Sequence, residues 1–144
     1  MRFWDSSALV PLCLAEPTTA VARRLYDDDS EMAVWWNSPV ECGSAFARLR
    51  REGVLEENQE ASALSILDSF SAFWHEVQPT AELRDQALRL LRVHALRAAD
   101  ALQLAASLAW AGTPPEGELI TLDERLASAA RREGFSVLPA RSAS

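Results

Sequence analysis

Met1-Arg2-Phe3-Trp4-Asp5-Ser6-Ser7-Ala8-Leu9-Val10 decides how the rest of the chain is read. Met1 to Trp4 has the length and apolar character of a short buried strand, and an acid follows it at once. A helix from about Ser7 to Leu14 comes next, ended by Pro17. The same grammar repeats along the chain. Thr18 to Tyr26 fits a helix, and Met32-Ala33-Val34-Trp35-Trp36 is a continuous apolar run suited to a strand covered on both faces. Ser38 as N-cap and Pro39 at the first helical position open a helix that runs to about Glu52, where Gly53 stops it. Leu55 to Phe73 is a further helix, and His75 to Gln78 a minor strand before Pro79. Glu82 to His94 is amphipathic, whereas Ala99 to Ala111 is apolar nearly all round, as a buried helix should be. Glu118 to Thr121 reads as a strand, Asp123 to Glu133 as a helix, Gly134 as its stop, and Phe135 to Leu138 as a closing strand. Short apolar strands alternating with helices predict an α/β fold with a central parallel sheet of four or five short strands and helices on both faces. The 144 residues make one domain, 1–144, with 139–144 expected as a flexible tail.

Composition removes several classes of function. The net charge is −7, from 21 acidic residues against 14 basic ones, and every basic residue is Arg. Without lysine there is neither a phosphate-cradling P-loop lysine nor a Schiff base. An acidic chain disfavours nonspecific binding of duplex by a broad basic face, so no direct specific DNA binding is expected. Nucleic acid remains compatible where metal ions neutralise acids at the point of contact. Cys13 and Cys42 lack the number and spacing of a zinc site and are expected to be reduced. His75 and His94 are too few and too far apart for a histidine metal cluster. Five glycines give no Gly-x-Gly-x-x-Gly. Asp27-Asp28-Asp29-Ser30 is read as a solvated loop, and the pair Trp35-Trp36 as core. With no apolar stretch of about 20 residues, no membrane association is expected and the location is expected to be cytoplasmic.

In parallel sheets ligands collect at the carboxyl ends of the strands, where the strand order reverses. Asp5 follows the first strand, Asp123 follows the strand ending at Thr121, and Glu41 lies in the first turn after the Met32 strand. Asp100 is the fourth acid, alone in the apolar run Leu96-Arg97-Ala98-Ala99-Asp100-Ala101-Leu102-Gln103-Leu104. Each has a plainer reading. Ser38-x-x-Glu41 and Thr121-x-x-Glu124 have capping-box spacing, Asp5 suits an N-cap, and Asp100 and Asp123 complement helix dipoles. Caps, however, do not require four acids at strand ends that the topology gathers. Two carboxylates about 5 Å apart repel by roughly 3 kcal/mol at an effective dielectric near 20, so such a cluster calls for a cation. Oxygen-only, carboxylate-rich sites suit Mg²⁺ or Mn²⁺.

With these residues in view, the chain resembles a PIN-domain ribonuclease of the VapC type, the toxin half of a bacterial toxin–antitoxin pair. Asp5-Ser6-Ser7-Ala8-Leu9-Val10 matches the opening Asp-x-Ser-Ala-Leu-Val of that family, and Glu41 its glutamate after the second strand. Leu96 to Ala105 matches Leu-Arg-x-x-Asp-Ala-Leu-x-Leu-Ala, and Thr121 to Leu126 matches Thr-x-Asp-x-Arg-Leu. Four segments in order, from Phe3 to about Pro139, make the likeness specific. Trp4, bulkier than the family's aliphatic residue, and Cys42-Gly43, which is expected to loosen the start of its helix, depart from the pattern without removing an acid.

The resemblance implies a PIN-like three-layer α/β/α sandwich and Mg²⁺-dependent endonucleolytic cleavage of RNA, with Mn²⁺ as a substitute. It implies Asp5, Glu41, Asp100 and Asp123 as catalytic and metal-holding residues, with Ser7 and Thr121 orienting carboxylates. Arg97 is a candidate for RNA phosphate, with a surface ion pair as its alternative. The implied partners are a cognate antitoxin, the RNA substrate and a second copy in a homodimer, with Phe70, Phe73 and Trp74 as candidate contacts. Two rival readings stand beside it. One is a PIN-like binding module whose acids only cap helices. The other is an aspartyl-nucleophile phosphohydrolase, disfavoured by Ser7 in place of a second aspartate and by the missing lysine.

Overall fold

The computed structural model describes residues 1–141; residues 142–144 of the expected tail lie outside the described residues. The chain runs β1 (Arg2–Trp4), α1 (Ser6–Cys13), α2 (Thr19–Asp28), β2 (Met32–Trp35), α3 (Ser38–Arg51), α4 (Glu57–Ser71), β3 (His75–Val77), α5 (Ala81–Val93), α6 (Ala98–Ala111), β4 (Glu118–Ile120), α7 (Glu124–Arg132) and β5 (Ser136–Leu138). The strands form one five-stranded sheet in the order β3-β2-β1-β4-β5, parallel throughout.

Side-chain alternation along these short strands builds two cores. Phe3, Ala33, Trp35, Val77, Leu119 and Val137 point to one face of the sheet, where Leu83 and Leu90 of α5, Leu104 of α6 and Leu126 of α7 meet them. Trp4, Met32, Val34 and Ile120 point to the other, against Leu9 and Leu12 of α1, Phe46 of α3 and Leu67 of α4. Sheet and two helical layers make the three-layer sandwich that the alternating pattern predicts. Trp4, the bulky departure in β1, is completely buried and fills the second core. Cys42 is likewise fully buried, so α3 is packed, not loose, at its start. Gly53 (φ +78°) and Gly134 (φ +104°) follow α3 and α7 in the left-handed conformation that ends a helix.

Three sequence expectations change. Ser38 does not cap α3: Asn37 holds the cap position, and Ser38 and Pro39 are the first helical residues. The Ser38 hydroxyl faces inward and accepts a hydrogen bond from Gln103 Nε2 at 2.8 Å. Trp35 is core, but Trp36 lies beyond the end of β2 and is 49% exposed. The Asp27–Asp29 run is not simply solvated, because Asp28 Oδ2 pairs with Arg2 Nη2 at 2.7 Å and ties the end of α2 to β1. Among the described residues no helix is long and apolar enough to cross a membrane.

The sheet order places the topological switch between β1 and β4. From β1 the chain goes to β2 and β3 on one side, and only later to β4 and β5 on the other, leaving a crevice at the carboxyl ends of the two central strands. Phe3 sits mid-strand in β1 with no exposure, tilted against Trp110 at 6.2 Å between ring centroids. Phe3→Ala therefore should cost about 3–5 kcal/mol in urea denaturation, the usual penalty for emptying an aromatic site in a core.

Candidate active site

Asp5 is the first residue past β1 and the N-cap of α1. It is also 4% exposed, and its charge is held entirely by neighbouring donors. Its Oδ2 accepts from the Ser7 backbone N–H at 3.3 Å, the Ser7 hydroxyl at 2.5 Å and the Thr121 hydroxyl at 2.8 Å. Each hydroxyl has one proton, so both point at Asp5, and each oxygen accepts from the β4–α7 loop in return. Leu122 N–H donates to Ser7 Oγ at 2.9 Å and Asp123 N–H to Thr121 Oγ1 at 3.1 Å. The Asp5 backbone N–H donates to the Ile120 carbonyl at 3.0 Å. The ends of β1 and β4 are thus clamped together around one carboxylate. Ser7 and Thr121, read from the sequence as orienting residues, both touch it.

The other acids follow a common pattern. Asp123 is the N-cap of α7, with Oδ1 accepting from Leu126 N–H at 3.0 Å. Glu41, in the first turn of α3, accepts on Oε2 from Gln103 Nε2 at 2.6 Å. In each, one carboxylate oxygen is committed to the fold and the other makes no close hydrogen bond among the described residues. Asp5 Oδ1 has only the Ser6 hydroxyl, at 3.5 Å. Asp100, in the first turn of α6, lines a cavity of about 540 Å³ with Asp123, Arg97 and Arg125. Cap and candidate ligand are therefore compatible roles, because a carboxylate has two oxygens.

Electrostatics link the four. Burial pushes the Asp5 carboxyl up, Ser7 and Thr121 pull it back down, and the nearby Asp123 charge raises it again. Burial raises Glu41 to about 7, against the Gln103 hydrogen bond, with further lifts from Asp5 and Asp100. Asp100 is raised by burial first and then by Asp123, while the Arg97 backbone N–H and the Arg97 and Arg125 charges act downward. Every neighbour relation closes on the same group of acids, and no cationic side chain pairs directly with Asp5 or Glu41 among the described residues. The donor set is all oxygen and anionic, which fits a hard divalent cation. Among the described residues no three side chains of the metal-binding types stand close enough to hold an ion unaided. Any ion held by these acids would therefore keep several waters, as Mg²⁺ commonly does.

Gln103 was missed in the sequence reading. Its amide, buried in α6, donates from Nε2 to both Ser38 Oγ and Glu41 Oε2, and so fixes the glutamate from behind. The signal was present: a lone amide three residues after Asp100, on the same side of an otherwise apolar helix. Arg97 is exposed at the N-cap of α6, on the rim of the Asp100–Asp123 cavity. The two free thiols are no part of the chemistry. Both are buried, and burial pushes Cys13 up to about 12 and Cys42 further still.

A parallel 3-2-1-4-5 sheet with four acids at its switch point defines a class, and the comparisons agree with it. The PIN domain family model matches residues 2–132, and the chain belongs to the PIN domain family. Within that family it is 35% identical over 140 residues to ribonuclease VapC45 of Mycobacterium tuberculosis, covering 96% of this chain and 94% of the relative. The same figures hold for ribonuclease VapC49 from another strain of that species. The fold superposes on Mycobacterium tuberculosis VapC20, a sarcin–ricin-loop-cleaving toxin, with a TM-score of 0.69 at 18% identity, over 94% of this chain and 97% of that one. A Pyrobaculum aerophilum protein superposes with a TM-score of 0.68 at 20% identity, over 95% and 90% of the two chains.

Glu41 carries a pH dependence of defined sign. Its carboxyl is lifted from 4.5 in the unfolded chain to about 7 in the folded one. A group raised on folding contributes stability that is full below the unfolded value and lost as pH rises through the folded one. In the absence of divalent ions, Tm should therefore fall between pH 4.5 and pH 7 beyond what the other acids impose, and Glu41→Gln should flatten that part of the slope. Thermal melts in EDTA across this range measure it; equal slopes in the two proteins would refute it.

Proposed function

We propose that this chain is a metal-dependent endoribonuclease, the toxin of a toxin–antitoxin pair, and that Asp5, Glu41, Asp100 and Asp123 are its catalytic, metal-holding residues. The observation that carries the reading is the shared design of the site. Mutually repelling acids are held at the switch point of the sheet, and Asp5, Glu41 and Asp123 each have one oxygen with no close hydrogen bond among the described residues. Helix capping alone explains one oxygen of an acid and leaves the burial of Asp5 without a purpose, which sets the binding-module reading aside. Mg²⁺ is the proposed ion, with Mn²⁺ as a substitute.

Asp5 anchors the set, because Ser7 and Thr121 lock its Oδ2 and leave Oδ1 with only the Ser6 hydroxyl at 3.5 Å. Gln103 does the same for Glu41 by holding its Oε2. A divalent ion bound here supplies Lewis-acid stabilisation of the scissile phosphate and lowers the pKa of an attacking water. The acids position the reacting groups, and Arg97 at the rim offers a phosphate contact beside them. A cognate antitoxin is the proposed partner, holding the enzyme silent with a basic segment that pairs with Glu41 or Asp123.

Asp5→Asn and Asp100→Asn keep the side-chain shape and remove one charge from the cluster. RNA cleavage should fall by more than about a hundredfold in each, since losing a group that merely orients a metal ligand already costs 10- to 100-fold. EDTA should stop the wild type and Mn²⁺ restore it. Full activity of either variant at saturating Mg²⁺ would sink the assignment of the site.

The proposed homodimer uses the end of α4. Phe73 is 91% exposed beside a hollow of about 460 Å³ lined by Tyr26, Phe70 and Trp74. One monomer's core makes no use of that ring. Light scattering at micromolar concentration should give a dimer mass, and Phe73→Glu should shift it to monomer while changing monomer stability by no more than about 0.5 kcal/mol. A monomeric wild type would refute the dimer.

A further inference from the structure

The cavity that holds Asp100 and Asp123 does not end at the acids. A second cleft, about 320 Å³, shares Glu124 and Arg125 with it and continues between the α5–α6 connection, at His94 to Leu96, and the outer face of α7 as far as Arg132. Arg125, Ser128 and Arg132 stand at i, i+3 and i+7, so one helix face presents two guanidinium groups and a hydroxyl to this trough. The opposite wall is tied to the end of α7. His94 is buried, with Nε2 2.6 Å from Glu133 Oε2, and Glu133 Oε1 is held by Arg89 at 2.7 Å.

Among the described residues, Arg97, Arg125 and Arg132 are exposed and make no salt bridge, as is true of most arginines of the chain; what sets these three apart is that they line the two adjoining clefts. Along the second cleft Arg125 and Arg132 outweigh its one acid, Glu124, a local reversal of sign beside the acid centre in a chain of net charge −7. The chemistry of the site asks for that reversal. The ion offsets charge at the scissile phosphate only, and the neighbouring phosphates of the strand meet either acids or arginines. Seven residues of helix separate Arg125 from Arg132 by about 10 Å, the length of about three phosphates of a stacked single strand at ~3.4 Å each. Guanidinium groups suit phosphate, binding it through paired N–H donors.

We infer that single-stranded RNA leaves the acid centre along the trough between the α5–α6 connection and α7, with Arg125 and Arg132 as its phosphate anchors. The inference rests on the ribonuclease reading above and adds to it the path of the substrate. These are backbone contacts, so they set affinity and register and leave base preference to other parts of the surface.

Fluorescence anisotropy of a fluorescein-labelled, mixed-sequence single-stranded oligoribonucleotide, in millimolar Ca²⁺, measures binding directly. Arg125→Gln and Arg132→Gln should each weaken binding about fivefold and lower the slope of log K against log salt by about 0.7. Arg24→Gln, on exposed α2, removes the same net charge and should change neither. Unaltered binding in the two trough variants would overturn the path, and so would an equal loss in Arg24→Gln, which would reduce the effect to overall charge. Cleavage of total RNA is scored separately. A chain that binds through both arginines and never cuts, even with Mg²⁺ or Mn²⁺, refutes the ribonuclease reading and upholds the trough. A chain that cuts while ignoring both arginines refutes the trough alone.

Discussion

Burial of the Asp5 carboxylate is the constraint around which the molecule is arranged. A carboxylate removed from water is costly unless donors replace the lost hydration. Here those donors come from two places far apart in sequence, Ser7 at the start of α1 and Thr121 at the end of β4. Their oxygens in turn accept the backbone N–H groups of Leu122 and Asp123, so satisfying Asp5 also shapes the loop that carries the next acid. The clamp can form only if β1 and β4 lie side by side, as the sheet order provides. Fold and site therefore share one set of hydrogen bonds.

The remaining acids show how a fold holds like charges near one another. The repulsion between two carboxylates as close as 5 Å would be roughly 3 kcal/mol at an effective dielectric near 20. A fixed hydrogen bond to one oxygen of Asp5, Glu41 and Asp123 opposes it by restricting where the charge can go. The carboxyls of Asp5, Glu41 and Asp100 are raised chiefly by burial, with a smaller upward push from the neighbouring acids. Stability is given up at the carboxyl ends of β1 and β4, and the two apolar cores on either side of the sheet offset it. Such local cost beside a well-packed scaffold is what a preorganised site requires.

Helix α6 joins these themes. It is apolar enough to lie inside the sandwich, yet it carries Asp100 at its first turn and Gln103 one turn later. Gln103 spans from α6 to α3, fixing Glu41 and taking Ser38 out of the capping role that its position in sequence suggests. The sign of the surface changes over a short distance here, from the acids at the start of α6 and α7 to the arginines along the outer face of α7.

What the sequence determined by itself was the order and kind of elements, because period-2 and period-3.6 patterns, Pro39, Gly53 and Gly134 are local signals. Strand ends also placed Asp5, Glu41 and Asp123 on one rim, through the rule that parallel sheets present their carboxyl edges together. Contacts between distant residues were decided only in three dimensions. Ser38 reads as a cap until Gln103, 65 residues away, claims its hydroxyl. Trp36 continues an apolar run in sequence but lies past the last paired residue of β2, where no layer covers it. Asp28 belongs to a charge run until Arg2 is brought beside it by the packing of α2 against β1. Local pattern reports what a segment can bury; only the assembled sheet and its two helical layers decide which polar group each buried group finds as its partner.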